Sequence, residues 1–212
     1  MAIDSPAAGT RVVLRPLATP LPLGFLALAL ATVTFSAVQL GWVPPSEARI
    51  AGLTALVATV PLQLLASVMG FLARDPVAAT GMGVLTGTWA VVGLTTLTSA
   101  PGVTSKELGV LLLCAGVAMF VPAVSAGSKL VPAAVMGLAG VRFLVTGGYQ
   151  LSASAGWKAA AGWTGLALGL LALYAALALE LEGSHRRTIL PVGRRGPGAV
   201  GMGDDPGVRP QL

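Results

Sequence analysis

Charged residues are confined to short segments of the chain, and long uncharged runs of mostly apolar residues lie between them. No Asp, Glu, Lys or Arg occurs in residues 16–46, 50–73, 76–105, 108–128 or 159–179. Each run contains the roughly 20 residues that an α-helix needs to cross the hydrocarbon core of a bilayer. A soluble core helix of that length would carry a polar face. The pattern therefore predicts an all-α, polytopic membrane protein.

Six spans account for this pattern when the short polar connections are used as boundaries. The predicted spans are Pro22–Trp42, Ile50–Ala73, Val77–Leu97, Glu107–Ala126, Leu130–Gln150 and Ala159–Leu181. Connections this short require consecutive helices to run antiparallel. We therefore predict a six-transmembrane-helix bundle over residues 21–182, between an N-terminal segment (1–20) and a C-terminal tail (183–212).

The basic residues predict the orientation of the bundle. An even number of spans places both termini on one side of the membrane. Nine basic residues fall on that side and three on the other, with Arg142 inside a span. The positive-inside rule then predicts that both termini are cytoplasmic, as in a multi-pass protein of the plasma membrane. The tail is rich in Gly, Pro and Arg and is expected to be largely disordered, from about Gly196 onward.

The composition supports a membrane protein and excludes several kinds of active site. Hydrophobic residues make up 55% of the chain and charged residues 10%, against roughly 25% charged residues in soluble proteins. The sole histidine, His185, follows the last span, and the sole cysteine is Cys114. We therefore predict no enzyme activity, cofactor or metal site. In a membrane protein the net charge of +5 bears on orientation and on contact with anionic lipid, and it does not indicate nucleic-acid binding.

Uncharged polar residues share helical faces with leucines within two spans. The candidates for a solute pathway are Leu28, Thr32, Ser36 and Gln39 in the first span and Leu85 and Thr88 in the third. Hydroxyl and amide groups among apolar residues could line a narrow path for a small solute. They could equally form hydrogen bonds between helices without any further role. The sequence leaves both interpretations open.

Arg142 is the one charged residue within the interior of a predicted span. A charge at this depth is energetically costly and usually functional. It lies about 8 residues, or roughly 12 Å, from the predicted outer end of the fifth span. The predicted span interiors contain no acidic partner. A transient anion such as a carboxylate could satisfy the guanidinium, and so could backbone carbonyls or water.

Small residues form stripes on two spans, at spacings that allow helices to approach closely in lipid. The stripe on the sixth span contains Gly162, Gly165, Gly169, Ala172 and Ala176, and the third span contains the pair Gly83 and Gly87. We expect these residues to form helix contacts, either within the bundle or between subunits, and not to contact substrate.

Three segments of the chain resemble the acetate uptake transporter family. TPLPLGF (Thr19–Phe25) is similar to the family's N-terminal signature N-P-A-P-L-G-L. FLARDPVAATGMGVLTGTW (Phe71–Trp89) resembles the loop and Gly-rich third helix. GWTGLALGLLALYAALALELEGSHRRTILPVG (Gly162–Gly193) resembles the last helix and the closing G-R-T-V-L-P-[IL]-G. The matched signature positions are Thr19, Pro20, Pro22, Leu23 and Gly24, with Thr19 in place of the family's Asn.

Members of that family are permeases for acetate and succinate. The resemblance implies a homo-hexamer with a pore through each protomer, which passes acetate and related small carboxylates, including succinate, often coupled to protons. It implies a pore constriction near Leu28, Leu85 and Val141, so that Val141 joins the pathway candidates. Arg142 is a candidate because of its charge, and the family pattern does not lead us to expect an arginine beside the third constriction position. Because leucines replace the family's usual aromatic residues there, the substrate could be a different small acid. The alternatives are a non-transporting six-span scaffold or sensor, and an exporter of ammonium or another small neutral solute.

Overall fold

The computed structural model describes residues 18–185 and 187–195. Within these residues six helices are long and apolar enough to cross a membrane. They are α1 (Leu21–Gln39), α2 (Pro45–Leu72), α3 (Val77–Thr98), α4 (Lys106–Ser125), α5 (Leu130–Ser152) and α6 (Ala155–His185). Their ends differ from the predicted ends by at most five residues. The prediction of an all-α, six-span membrane protein is confirmed.

The outer surface of the bundle is apolar, as lipid contact requires. Val57, Phe71, Val124 and Leu170 are among the most exposed residues, with 66–81% of their surface accessible. Soluble monomers rarely expose large contiguous apolar areas to water. The exposed surface of this chain is therefore one that a bilayer covers.

Three helices depart from regular α geometry near a proline. The start of α3, Val77–Gly81, is π-helical and directly follows Pro76. In α2 the segment Thr54–Thr59 is π-helical and ends two residues before Pro61. The helix then continues in α geometry over Val60–Leu72. In α4 the α-helix ends at Ala118 and resumes at Phe120, shortly before Pro122. A proline has no N–H group for the carbonyl four residues earlier, so the hydrogen-bond ladder shifts or breaks at that level.

The six helices form a closed ring. Each helix packs against its neighbours in the sequence, and α6 returns to make an extensive contact with α1. The first and last helices are therefore adjacent. The interior of the ring is filled by buried side chains such as Phe25, Met82, Met136 and Phe143.

The small-residue stripe on α6 forms the contact with α1. A Cβ atom added at Gly162 would lie 2.5 Å from Cγ of Leu40, and one at Gly169 would lie 2.5 Å from Cγ2 of Val33. The predicted helix contact is thus formed within one protomer. On α3 the expectation holds only in part, because a Cβ at Gly87 would meet nothing within 4 Å.

The segment after α6 folds back onto the start of α5, and we call residues 187–195 the C-terminal clasp. The backbone N–H groups of Leu130 and Val131 donate to the carbonyls of Gly193 and Val192, at 3.0 and 3.1 Å. These bonds satisfy two of the N–H groups that the first turn of a helix leaves free. The clasp is thus ordered although it belongs to the predicted tail. Residues 196–212, for which we expected disorder, lie outside the described residues.

Side chains also hold the C-terminal clasp in place. Arg194 forms a salt bridge with Glu182 near the end of α6, and Thr188 donates a hydrogen bond to the same carboxylate. The hydroxyl of Tyr174 donates to the carbonyl of Pro191 at 2.9 Å. The clasp therefore ties the end of α6 to the beginning of α5.

Candidate functional site

Helices α1 and α3 meet along the centre of the bundle. A Cβ at Gly24 would lie 2.3 Å from Sδ of Met82, and further along both helices the rings of Phe35 and Trp89 lie 5.5 Å apart. Leu28 and Leu85 come between these two contacts in their helices, and both are 0% exposed. No water-sized path reaches them, so they belong to an apolar layer that closes the interior.

A small cavity lies beyond this layer, in the half of the bundle farther from the described chain ends. Its volume is about 20 Å³, enough for one water molecule. It is lined by Phe35, Gln39, Trp89, Val92, Leu112, Arg142, Phe143 and Thr146. Four helices, α1, α3, α4 and α5, contribute to its wall.

Arg142 is the charged group of this cavity. It is 2% exposed and lies ten residues before the end of α5, or about 15 Å along the helix. Its Nη1 donates to Oγ1 of Thr146 at 2.9 Å and to the carbonyl of Ala161 on α6. Arg142 makes no other hydrogen bond within the described part of the chain, and its Nε is buried without an acceptor.

The two acceptors hold the guanidinium at the contact between α5 and α6. Thr146 is four residues after Arg142, so the side chains share a helix face, and its hydroxyl also donates to the Arg142 carbonyl at 2.7 Å. A Cβ at Gly165 would lie 2.7 Å from Nε of Arg142. The absence of a side chain at Gly165 therefore makes the room that the guanidinium occupies.

Two further polar atoms near the cavity have no partner. Nε1 of Trp89 and Oε1 of Gln39 are buried and form no hydrogen bond among the described residues. The Trp89 ring contacts Phe35 and lies 5.9 Å from the ring of Phe143, in an edge-on arrangement. Buried polar atoms are nearly always paired, so unpaired ones gathered around one cavity indicate a place for a polar ligand or water.

The charge of Arg142 is not balanced by a nearby acidic group. Among the described residues, Arg142 and Glu182 are the only buried charged side chains, and Glu182 forms its salt bridge with Arg194. Glu182 follows Ala161 by 21 residues on α6, or about 30 Å at 1.5 Å per residue. The cavity therefore carries a net positive charge, to which an anion would be attracted.

No family model and no curated protein matches the sequence. A search of solved structures finds "Structure of the bacterial acetate channel SatP", with a TM-score of 0.74 and 24% sequence identity. The match covers 84% of this chain and 99% of that chain. The chain has the fold of the bacterial acetate channel SatP. This confirms the fold implied by the resemblance to the acetate uptake transporter family.

Within this SatP-like fold, the predicted polar stripe of α1 serves mainly helix contacts. Oγ1 of Thr32 donates to the carbonyl of Gly165 on α6 at 3.4 Å, and Oγ of Ser36 donates to the Thr32 carbonyl at 2.6 Å. Thr88 on α3 bonds within its own helix, to the carbonyl of Val84. Of the polar pathway candidates on α1, the structure brings only Gln39 to the cavity wall.

Val141 does not lie where we predicted. Its side chain is 37% exposed on the outer face of α5, whereas the neighbouring Arg142 and Phe143 are buried. A residue on that face contacts lipid or another protein, so Val141 cannot form an interior constriction within the protomer. The sequence analysis also did not identify Trp89, Phe143 and Thr146 as site residues. Of these three residues, only Thr146 could have been identified from the sequence, because it lies four residues after Arg142 and therefore on the same helix face.

The family signature lies at the start of α1. Pro20 is the N-cap residue, and no side chain caps the helix. Thr19 is exposed, whereas Pro20, Pro22 and Gly24 are buried. Leu23 is partly buried. The absence of a side chain at Gly24 allows a close helix approach, because Met82 fills the space beside it.

Proposed function

We propose that the chain is a plasma-membrane channel or permease for acetate and related small carboxylates. One observation carries the proposal: a buried arginine without an acidic partner lines a cavity inside a fold shared with an acetate channel. A carboxylate is the small anion that would complete the charge and hydrogen bonding of Arg142. By the same charge argument, ammonium is disfavoured, because a fixed positive charge repels a cation.

The pathway would have two parts. Substrate enters the cavity at Arg142, where the positive charge favours an anion. It then passes the apolar layer of Leu28 and Leu85, as the neutral acid or as a partly dehydrated anion. This second step requires the leucines to separate, since neither is accessible in the present conformation. Gln39 lies in the cavity wall, and Thr88 follows Leu85 by three residues on α3.

Proton linkage and the hexamer belong to this proposal as implications of the family resemblance. Succinate, which the resemblance also implies, does not, because the described wall of the cavity offers a single cation to a substrate with two carboxylates. No Asp or Glu is present in the interior of the six helices, so a coupled proton would travel with the substrate acid. With both termini in the cytoplasm, the Arg142 cavity lies nearer the outer face of the membrane. Six-fold assembly would cover part of the apolar outer surface, including residues such as Val141.

Transport by purified protein in liposomes tests the function. We expect wild-type protein to take up labelled acetate and Arg142→Met to lower uptake about tenfold or more, in line with the loss of a charged hydrogen bond. The matched control is Arg49→Met, because Arg49 is exposed at the start of α2. Absence of acetate flux in the wild type would reject the proposal and leave the scaffold or sensor alternative.

Proton linkage is tested in the same vesicles with an internal pH indicator. We expect acetate to drive acidification of the lumen, because the proton enters with the acid. A membrane current without acidification would show instead that the free anion crosses, which would reject the linkage while leaving the transport function intact.

A further inference from the structure

We propose that the free edge of Arg142, together with the indole N–H of Trp89, forms a binding site for a planar, monovalent oxyanion that excludes dicarboxylates. The inference rests on the proposed function and goes beyond it, because it assigns the contacts of the anion and predicts selectivity by shape and charge. Binding at such a site depends on the shape of the anion as well as its charge, whereas any cation in the cavity would provide general electrostatic attraction.

The hydrogen bonds of Arg142 leave one edge of its guanidinium unused. A guanidinium presents five N–H donors in a fixed plane. Both observed acceptors, Thr146 and Ala161, bind the same nitrogen, Nη1. The remaining edge is formed by Nε and Nη2, and neither atom has an acceptor among the described residues. Two parallel N–H groups of this kind match the two oxygens of a carboxylate.

Trp89 supplies a third donor. It is 3% exposed and lines the same cavity, and its Nε1 has no hydrogen-bond partner. Ring contacts with Phe35 and with Phe143 hold the indole in place. Because a buried donor without an acceptor has lost its water without compensation, a ligand oxygen would relieve that cost at Trp89 as well as at Arg142.

The remaining wall determines which anions fit. Phe35, Val92, Leu112 and Phe143 are apolar, and Arg142 is the only buried cation among the described residues. A monocarboxylate can place its charge at Arg142 and its apolar end against this wall. The second carboxylate of succinate would lose its water against apolar groups without a compensating charge. The cavity of about 20 Å³ also requires a very small ligand or a limited expansion.

Binding to the purified, detergent-solubilised full-length protein tests the site. Equilibrium dialysis with labelled acetate measures affinity, and unlabelled formate, nitrate, bromide and succinate serve as competitors. Formate and nitrate are planar and monovalent, bromide is monovalent and spherical, and succinate is a dianion. We expect formate and nitrate to compete at least about tenfold better than bromide or succinate. Equal competition by bromide or by succinate would overturn the proposal.

Two substitutions locate the contacts. Arg142→Lys keeps the charge but loses the planar edge, and we expect about tenfold weaker acetate binding, with the preference for nitrate over bromide lost. Trp89→Phe keeps an aromatic ring between Phe35 and Phe143 but removes the N–H, and we expect acetate binding about threefold to tenfold weaker. The control is Trp163→Phe, since Trp163 is 62% exposed and lies outside the cavity.

The outcomes separate this inference from the proposed function. If acetate flux is normal but Arg142→Lys and Trp89→Phe bind acetate like the wild type, the site is rejected and the channel stands. If the wild type binds formate and nitrate with the expected selectivity but shows no acetate flux, the site stands and the channel is rejected. Should Arg142→Lys fail to fold, Trp89→Phe and the wild-type competitor series still decide the question.

Discussion

Gly165 on α6 is the position where the addition of one methyl group should have the largest local effect. Its Cβ would lie 2.1 Å from Oγ of Ser36 and 2.7 Å from Nε of Arg142. Contacts between non-bonded heavy atoms are favourable near 3.5–4.0 Å. The methyl group therefore requires a separation of about 1 Å or more between α6 and α1, or a displacement of the Arg142 side chain.

The expected cost follows from this overlap. Overpacking of a well-packed interior costs about 1–3 kcal/mol, while replacement of a helical glycine by alanine recovers roughly 0.5–1 kcal/mol. Gly165→Ala should therefore lower the free energy of unfolding by about 1–2 kcal/mol. Gly87→Ala is the matched control, because its Cβ would meet nothing within 4 Å, and we expect it to be neutral or slightly stabilising.

The free energy of unfolding can be measured by denaturant titration of the purified protein in mixed micelles, followed by circular dichroism. A second readout is acetate binding, which Gly165→Ala should weaken by displacing the guanidinium. If Gly165→Ala were as stable as Gly87→Ala and bound acetate normally, the close α1–α6 contact and the role of Gly165 in placing Arg142 would both be refuted.

Two predictions concern the C-terminal clasp. Glu182→Gln removes the charge that pairs with Arg194, so we expect the free energy of unfolding to fall by about 1–3 kcal/mol. We also expect faster trypsin cleavage after Arg187 in limited proteolysis. An unchanged cleavage rate would contradict a stabilising role for the salt bridge. Gly193→Ala places a side chain at a φ of +66° and a Cβ 2.7 Å from Cβ of Leu130. We expect faster hydrogen exchange at the Leu130 amide, and unaltered exchange there would show that the clasp does not protect the first turn of α5.

The features that follow from residue type along the chain could be predicted from the sequence. The six spans are visible because each must present apolar residues on almost every face to lipid or to the bundle interior. Arg142 was identifiable for the same reason, since a charge contrasts with such surroundings. The stripe of Gly162, Gly165 and Gly169 also predicted a helix contact, because only small residues permit that approach.

Features that depend on the rotation and order of the helices could not be predicted in this way. Whether Val141 or Phe143 faces the interior depends on the rotation of α5, and an apolar residue is compatible with either lipid or the core. The site role of Trp89 depends on α3 lying across the cavity from Arg142, a contact between distant segments. The C-terminal clasp depends on hydrogen bonds between backbone groups, which carry little signal in residue type.

The packing of α6 against α1 has a consequence for the synthesis of the protein. Helix α6, which is synthesised after the other five described spans, supplies the Ala161 carbonyl that binds Arg142. Until α6 is inserted, α5 must lie in the bilayer with an arginine whose insertion costs about 2.5–3.5 kcal/mol. The face of α1 that packs against α6 also has no neighbour until then. Closure of the ring and burial of the arginine therefore become one late event, and a chain that stops short of α6 lacks both.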